Sequence, residues 1–165
     1  QIVGGLHHGW SVANTTLAHE RGTNFPFKEQ VVHEVYLDEL VALAAQRGVL
    51  DDPLIADDIA DAFVHLRLLR LQNWRTLSTL GRGDEPGPES SIVKLTWSEM
   101  TQHLSAVVLR ILGDEAVLWP AANGRSAAGT WQRQWLWSKS ASIAGGTSEV
   151  QRTIIAERIL GLPRG

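Results

Sequence analysis

The sequence predicts an all-α protein, arranged as an antiparallel four-helix bundle with additional short helices at its C-terminal end. Apolar residues recur at intervals of three and four along most of the 165-residue chain, which is the spacing that gives a helix one apolar face. The breaks between these periodic segments are short, and short breaks favour antiparallel packing of neighbouring helices. No alternating strand pattern occurs beyond the first few residues.

Two long amphipathic helices are predicted in the first half of the chain. Their apolar positions are Val32, Val35, Tyr36, Leu40 and Leu43 in one, and Ile55, Ile59, Phe63, Leu66, Leu69, Trp74, Leu77 and Leu80 in the other. Asp51 or Asp52 can cap the start of the second helix, and Pro53 suits its first turn because an N–H there has no intrahelical partner. The glycine-rich stretch 81–87 ends that helix.

Three more helices are predicted in the second half. The first is opened by Pro88 and closed by Gly113, with apolar positions at Ile92, Leu95, Leu104, Val107, Val108 and Ile111. Residues 114–130 contain proline and glycines and are predicted to form a long loop. A helix over 131–142 comes next, and the last helix ends at Gly161, which supplies a glycine cap.

Composition and charge exclude several classes of protein. A formal net charge of −3 and an isoelectric point near 6.1 provide no basic field for nucleic acid. No apolar run approaches the roughly 20 residues that a membrane span needs. The chain has no cysteine, which excludes disulfides and thiolate metal sites, and we assign no metal site to it. Nothing resembles a signal peptide, so we expect a cytoplasmic protein without a membrane span or a nucleic-acid partner.

The turn before the last helix is the strongest candidate for a binding site. Gly145 and Gly146 allow backbone N–H groups to come close to a ligand. Ser148 and Gln151 have the spacing of a capping box, which predicts that a helix opens at Ser148. Free N–H donors at the positive end of a helix suit a phosphate, or an oxygen that becomes negative during a reaction.

The stretch from Ile143 to Arg164, with its G-T-S turn, resembles the C-terminal signature of the acyl-CoA dehydrogenases. Gly9-Trp10 followed by Thr15 to Gly22 is similar to the first helix of the same family's C-terminal domain. The segments 36–75 and 85–95 are similar to one bacterial branch of the family, so that most of the chain is covered. The resemblance implies the same helical bundle.

The chain is shorter than the proteins that it resembles, and its first residue is not methionine. We therefore expect residues 1–165 to be a single C-terminal helical domain of a longer chain, with the N-terminal helical and β domains absent. The resemblance implies an FAD-dependent enzyme that forms the α,β double bond of an acyl-CoA thioester and passes electrons to an electron-transfer flavoprotein. It also implies a homo-oligomer, either dimer or tetramer, or a heterotetramer.

Three alternatives stay open at this point. The chain could be a non-catalytic or half-catalytic partner subunit of a heteromeric acyl-CoA dehydrogenase. It could be a purely structural oligomerisation bundle, which retention of flavin by the full-length protein would exclude. An oxidase of the same fold is the third, because oxygen reactivity cannot be inferred from these residues.

The resemblance assigns the thioester site to two parts of the chain. In one branch of the family the carboxylate that removes the α proton stands immediately before the G-T-S turn, where this chain has Gly145. In another branch it lies on the first helix, and Glu20 matches that placement, with Arg21 beside it as a substrate-binding residue. Gly145 and Gly146 are the other predicted substrate contacts, because a backbone N–H at Gly145 would polarise the thioester carbonyl.

Four further residues are predicted to bind the cofactor. Thr147 and Glu149 would contact the flavin nucleotide from the G-T-S turn. Arg47 and Leu50 fall at the spacing of the family's R-x-x-F-G-x-P segment, whose arginine reaches the pyrophosphate of a flavin held mainly by a neighbouring subunit. The segment 118–124 departs from the family's Q-x-x-G-G-x-G loop, which puts one flavin contact in doubt.

Overall fold

The computed structural model describes residues 2–22, 25–84, 87–119 and 129–164, with the side chains of 18–22, 25 and 26 outside that description. In this part of the chain the structure is helical and contains no strand. Its elements are α1 Gly9–Gly22, α2 Phe25–Gln46, α3 Pro53–Gly81, α4 Ser90–Leu112, a 3₁₀ helix Gly113–Val117, α5 Thr130–Ser138, a 3₁₀ helix Lys139–Ser142, α6 Ser148–Ile154 and a π-helical turn Ile155–Ile159. The predicted all-α bundle is confirmed.

Helix α4 is the central element, because α1, α2, α3, α5 and α6 all pack against it. The core that it shares with α2 and α3 is apolar and tightly enclosed. Its buried members are Tyr36, Leu37, Leu40, Ala44, Ile55, Ala62, Leu66, Leu69, Val93, Met100, Leu104, Val107, Val108 and Ile111. Burial of this apolar surface is the main force that holds the helices together.

The ends of α3 and α4 show how local sequence sets the boundaries. Asp52 caps α3, accepting the N–H of Leu54 on Oδ1 at 2.9 Å, and Pro53 is the first helical residue, as predicted. Helix α4 begins at Ser90, two residues after the predicted Pro88, since the segment before it forms a turn. Gly113, at φ 56°, ends α4. The residues that follow form a 3₁₀ helix where a loop was predicted.

The apolar residues that periodicity assigns to one face are divided between the core and the surface. On α2, Val32 and Val35 are exposed whereas Tyr36 and Leu40 are buried. On α3 a stripe of large apolar side chains faces outward, and it consists of Phe63, Val64, Leu68, Leu71, Trp74 and Leu77. Large apolar residues that recur on one exposed helix face are candidates for contact with another chain.

No helix in the described part of the chain is both long and apolar enough to cross a bilayer. No three histidine or acidic side chains in the same part of the chain are arranged to hold a metal ion.

Candidate active site

The turn before α6 has a backbone that requires glycine. Gly145 has φ 68° and Gly146 has φ 100°, both in the left-handed region that side chains disfavour. A Cβ added at Gly146 would lie 2.6 Å from Nε2 of Gln151, closer than real contacts allow. The two predicted glycines therefore form a sharp turn, and a residue with a side chain would strain it.

The predicted capping box is wrong by one residue. Thr147 is the N-cap of α6, with extended backbone and with its hydroxyl oxygen accepting the N–H of Val150 at 3.4 Å. Ser148 is the first helical residue and is buried. Gln151 reaches back toward the turn, as a capping-box partner does, but its Nε2 donates to the carbonyl oxygens of Gly145 and Gly146, at 3.1 and 3.2 Å. The positive φ of both glycines brings these carbonyls within its reach.

A buried lysine that the sequence analysis missed lies beneath this turn. Lys94 of α4 is buried and donates from Nζ to the carbonyl oxygen of Ala141 at 2.8 Å. A Cβ added at Gly145 would lie 3.9 Å from Lys94 Cε, so the aliphatic stem packs against the turn. Burial lowers the pKa of Lys94, and the negative charge of Glu149 partly opposes that shift. The amino group of Lys94 is therefore held next to the segment that leads into α6.

A pattern in α4 could have revealed this lysine. Ser91, Lys94, Ser98 and Ser105 are all buried, and their spacing of three, four and seven places them on one face of the helix. A face of small and polar residues at helical period indicates close approach of another segment. Here the segment around Ala141 and Ser142 approaches, and Gln102 Nε2 donates to the hydroxyl oxygen of Ser142 at 2.9 Å.

Thr147 and Glu149, the two predicted flavin contacts of the turn, lie at the start of α6. The hydroxyl oxygen of Thr147 is engaged in the cap. Glu149 is exposed, and the pKa of its carboxyl is lowered, first by its own backbone N–H and then by the Thr147 side chain. A carboxylate accepts hydrogen bonds. Glu149 therefore suits a ligand hydroxyl, and it would repel a phosphate.

Arg47, the third predicted flavin contact, is already paired within the chain. Its two terminal nitrogens donate to both carboxylate oxygens of Glu115, at 2.7 and 2.6 Å. This pair lines a hollow of about 590 Å³ with Trp131 and Gln132. Each partner shifts the pKa of the other, because the hydrogen bonds raise the pKa of Arg47 and lower that of Glu115.

Leu50, the fourth predicted contact, does not share that hollow. It is exposed and lies in a separate apolar depression with Leu37, Val41 and Phe63. The structure therefore separates two residues that the R-x-x-F-G-x-P comparison places at one site.

The Arg47 pair and the glycine turn lie toward opposite ends of α4. Lys94, under the turn, is near the start of this helix, and Leu112, beside Arg47, is its last residue. At about 1.5 Å per residue, the helix between them is roughly 27 Å long. The two predicted binding regions of this chain are thus well separated, and the role of Arg47 toward a flavin of another subunit stays a prediction.

The remaining predictions fall on parts of the chain that the structure does not describe. The backbone of Glu20 and Arg21 forms part of α1, but the structure does not describe their side chains. In the segment 118–124, Leu118 and Trp119 are exposed and the rest lies outside the described residues. The role of Glu20 as a base, and the contribution of this segment to a flavin site, therefore stay predictions.

Comparison with known proteins gives one family. Residues 7–160 match the family model of the acyl-CoA dehydrogenase C-terminal domain. The acyl-CoA dehydrogenase IpdE1 of Mycobacterium tuberculosis is 34% identical over 163 residues, covering 99% of this chain and 40% of that protein. IpdE1 of Mycolicibacterium smegmatis is also 34% identical over 163 residues, 39% of its length. This chain thus spans about 40% of the length of these relatives.

Two solved structures extend the comparison to three dimensions. The Tcur3481-Tcur3483 steroid acyl-CoA dehydrogenase superposes with a TM-score of 0.79 at 26% identity, covering 99% of this chain and 42% of that one. The ChsE4-ChsE5 complex from Mycobacterium tuberculosis superposes with a TM-score of 0.77 at 27% identity, with the same two coverages. Both names pair two different proteins.

Proposed function

Because the chain belongs to the acyl-CoA dehydrogenase family, we propose that it supplies the C-terminal helical domain of an FAD-dependent acyl-CoA dehydrogenase. The reaction forms the α,β double bond of an acyl-CoA thioester, and an electron-transfer flavoprotein accepts the electrons. The single observation that supports this function best is the Gly145-Gly146 turn, with φ of 68° and 100°, on a buried scaffold made by Lys94 and Gln151.

The described residues of the turn fit the groups that this function requires. A thioester carbonyl and a flavin phosphate both present electron-rich oxygens, which backbone N–H groups at a glycine turn can bind. FAD supplies an acceptor for the hydride that leaves the β carbon. We expect Thr147 and Glu149 to contact the nucleotide, with Glu149 accepting from one of its hydroxyls.

Glu20 completes the proposed site as the base that removes the α proton. Position 145 has no carboxylate, and its φ of 68° lies in the left-handed region that side chains disfavour. A base on α1 therefore fits this chain better than one at the turn. Arg21, next to Glu20, is proposed to bind the substrate.

The experiment that tests this function uses the full-length protein with its native partner chains. The flavin absorbance of the purified holoenzyme is measured, and its bleaching is followed anaerobically with a panel of acyl-CoA thioesters. The panel includes straight-chain, branched and polycyclic acyl groups, since one structural neighbour is described as a steroid acyl-CoA dehydrogenase. Bleaching by at least one thioester supports the function. Full flavin content without bleaching by any of them contradicts it.

A second candidate function is supported by the Arg47–Glu115 pair. An arginine that already binds a carboxylate with both nitrogens is less available to a pyrophosphate. The chain would then be the partner subunit of a heterotetramer, and this subunit would lack one flavin contact. The two solved structures described above also carry names that pair two different proteins. Flavin stoichiometry separates the candidates. One FAD per subunit supports the homo-oligomer, and one FAD per two subunits supports the heteromer.

A further inference from the structure

Gln151 is a polar side chain with 0% exposure, directly under the glycine turn. Its Nε2 contacts the carbonyl oxygens of Gly145 and Gly146, at 3.1 and 3.2 Å. Because both neighbours are acceptors, the atom that faces them must be the amide nitrogen, which carries two hydrogens. One amide group therefore holds two consecutive peptide carbonyls on the same side.

The position of these carbonyls fixes the direction of two N–H groups. In a trans peptide, the C=O and the N–H of the same peptide unit point to opposite sides, and no cis peptide occurs in the described chain. The carbonyl of Gly145 shares its peptide unit with the N–H of Gly146, and the carbonyl of Gly146 shares its unit with the N–H of Thr147. Both N–H groups therefore point away from Gln151.

These two N–H groups have no acceptor within the described part of the chain. The backbone hydrogen bonds around the turn are made by the N–H groups of Ile143, Ala144 and Gln151, and the side-chain bonds by Thr147 and Gln151. Two adjacent donors, aimed to the same side by a buried amide, form a pair that can hold one electron-rich oxygen.

We propose that Gln151 is a positioning residue, which turns the N–H groups of Gly146 and Thr147 toward an electron-rich oxygen of the bound ligand. The inference rests on the proposed function, because that function supplies two such oxygens, the thioester carbonyl and a flavin phosphate. The family resemblance points to the N–H of Gly145, whereas the geometry of Gln151 selects the next two along the chain.

The chain offers a matched control for a purely structural role. Asn73 of α3 is also buried, and its Nδ2 donates to Oε1 of Gln30 at 2.9 Å. Its substitution likewise removes hydrogen bonding by a buried amide. Asn73 lies in the contact between α3 and α2, and it belongs to neither the glycine turn nor the hollow of Arg47.

The first measurement follows amide hydrogen exchange in the wild-type protein, in three states: without FAD, with FAD, and with FAD plus an acyl-CoA that has sulfur in place of the β carbon. The proposal expects slow exchange at Gly146 and Thr147 only when ligand is bound. Protection by FAD alone identifies the flavin phosphate as the partner, and protection that needs the acyl-CoA identifies the thioester. Exchange unchanged by both ligands overturns the proposal.

The second measurement compares Gln151→Met with Asn73→Leu, in the presence of excess FAD and at saturating acyl-CoA. Loss of an oriented donor typically slows such reactions by about 100-fold or more, and loss of its orientation is expected to slow flavin reduction at least about tenfold. Asn73→Leu should also lower the unfolding temperature but leave the rate within about twofold. Equal rates in the two variants would overturn the proposal.

The two measurements keep this inference separate from the proposed function. If the wild-type flavin is bleached by a thioester while the two variants behave alike, the inference fails and the function stands. If no thioester bleaches the wild type and neither ligand protects the turn, both fail. Should Gln151→Met not fold, Gln151→Asn takes its place: its shorter amide should lose the ligand protection at Gly146 and Thr147, and protection equal to that of the wild type would overturn the proposal.

Discussion

Arg47 and Glu115 form a two-pronged ion pair across the end of the bundle, with N–O distances of 2.7 and 2.6 Å. Both side chains are partly exposed, so water and salt weaken the attraction between them. The pair is nevertheless well directed, because a guanidinium and a carboxylate match in shape. The pair engages Arg47, which is the residue that the family resemblance assigns to a flavin pyrophosphate.

This geometry makes a prediction about flavin retention. If Arg47 binds a flavin across a subunit interface, Arg47→Ala should raise the dissociation constant of FAD by at least about tenfold, the scale of a hydrogen bond to a charged group. Glu115→Gln should free the arginine and keep or improve retention. Flavin content after extensive dialysis measures both. Equal flavin content in the wild type and in Arg47→Ala would show that Arg47 does not bind the flavin and pairs only with Glu115.

Glu20 is predicted to be the catalytic base. In the holoenzyme, Glu20→Gln should retain FAD and bind acyl-CoA, but slow flavin reduction by at least about 100-fold, the usual contribution of a general base. Stopped-flow absorbance measures that rate. Glu39→Gln, at an exposed glutamate of α2, is the matched control and should react normally. Near-normal reduction by Glu20→Gln would remove Glu20 from the mechanism.

Gly146→Ala tests the backbone of the turn. At φ 100°, with a new Cβ placed 2.6 Å from Gln151 Nε2, alanine adds both backbone strain and a clash. Strain of this kind costs roughly 1–2 kcal/mol, so we expect a clear drop in the unfolding temperature and loss of flavin reduction. Gly48→Ala, at φ 68° with open space around it, should show the smaller drop from strain alone. An unchanged unfolding temperature and an unchanged rate of flavin reduction in Gly146→Ala would contradict a turn that requires glycine at this position.

The burial of His33 predicts that the fold loses stability in acid. His33 is buried, with Nδ1 2.7 Å from the carbonyl oxygen of Glu29 and Nε2 2.8 Å from the hydroxyl of Thr101. Burial lowers its pKa below the usual 6.5, although the Glu29 carbonyl and carboxylate oppose this. Below pH 6.5 the unfolded chain then binds a proton that the folded chain resists, so stability is lost as the pH falls.

The measurement is the unfolding temperature between pH 7.5 and pH 5. His33→Gln should flatten the fall, because the titrating group is gone. Ser78→Ala, at an exposed serine of α3 that does not titrate, serves as the control and should keep the wild-type slope. The same slope in wild type and His33→Gln would show that another group causes the acid sensitivity.

The outward stripe of α3 is predicted to be an oligomer interface. Leu71 and Trp74 are 55% and 52% exposed in the single chain, and we expect a second copy or a partner subunit to cover them. Leu71→Glu should shift the protein to smaller species in light scattering, because a carboxylate there would be buried without a partner. Leu54→Glu, at an exposed leucine outside the stripe, should leave the assembly unchanged. Unaltered mass for Leu71→Glu would contradict the interface.

The sequence by itself determined the helices and most of their ends. Apolar periodicity placed the three long helices α2, α3 and α4, and local chemistry fixed boundaries such as the Asp52 cap and the Gly113 stop. These features depend on residues a few positions apart, which is why they can be predicted from a single chain. The need for glycine at 145 and 146 also follows from sequence, since a turn before a helix often requires a positive φ.

Only the tertiary structure decided which residues meet. Lys94 and Ala141 are far apart along the chain, as are Arg47 and Glu115, and no local pattern pairs them. Periodicity likewise gave α3 one apolar face, whereas the packing of α2 and α4 determined which part of it is buried. Contacts between distant residues depend on how the helices are packed against one another, and helix packing is set by the shape of the whole core.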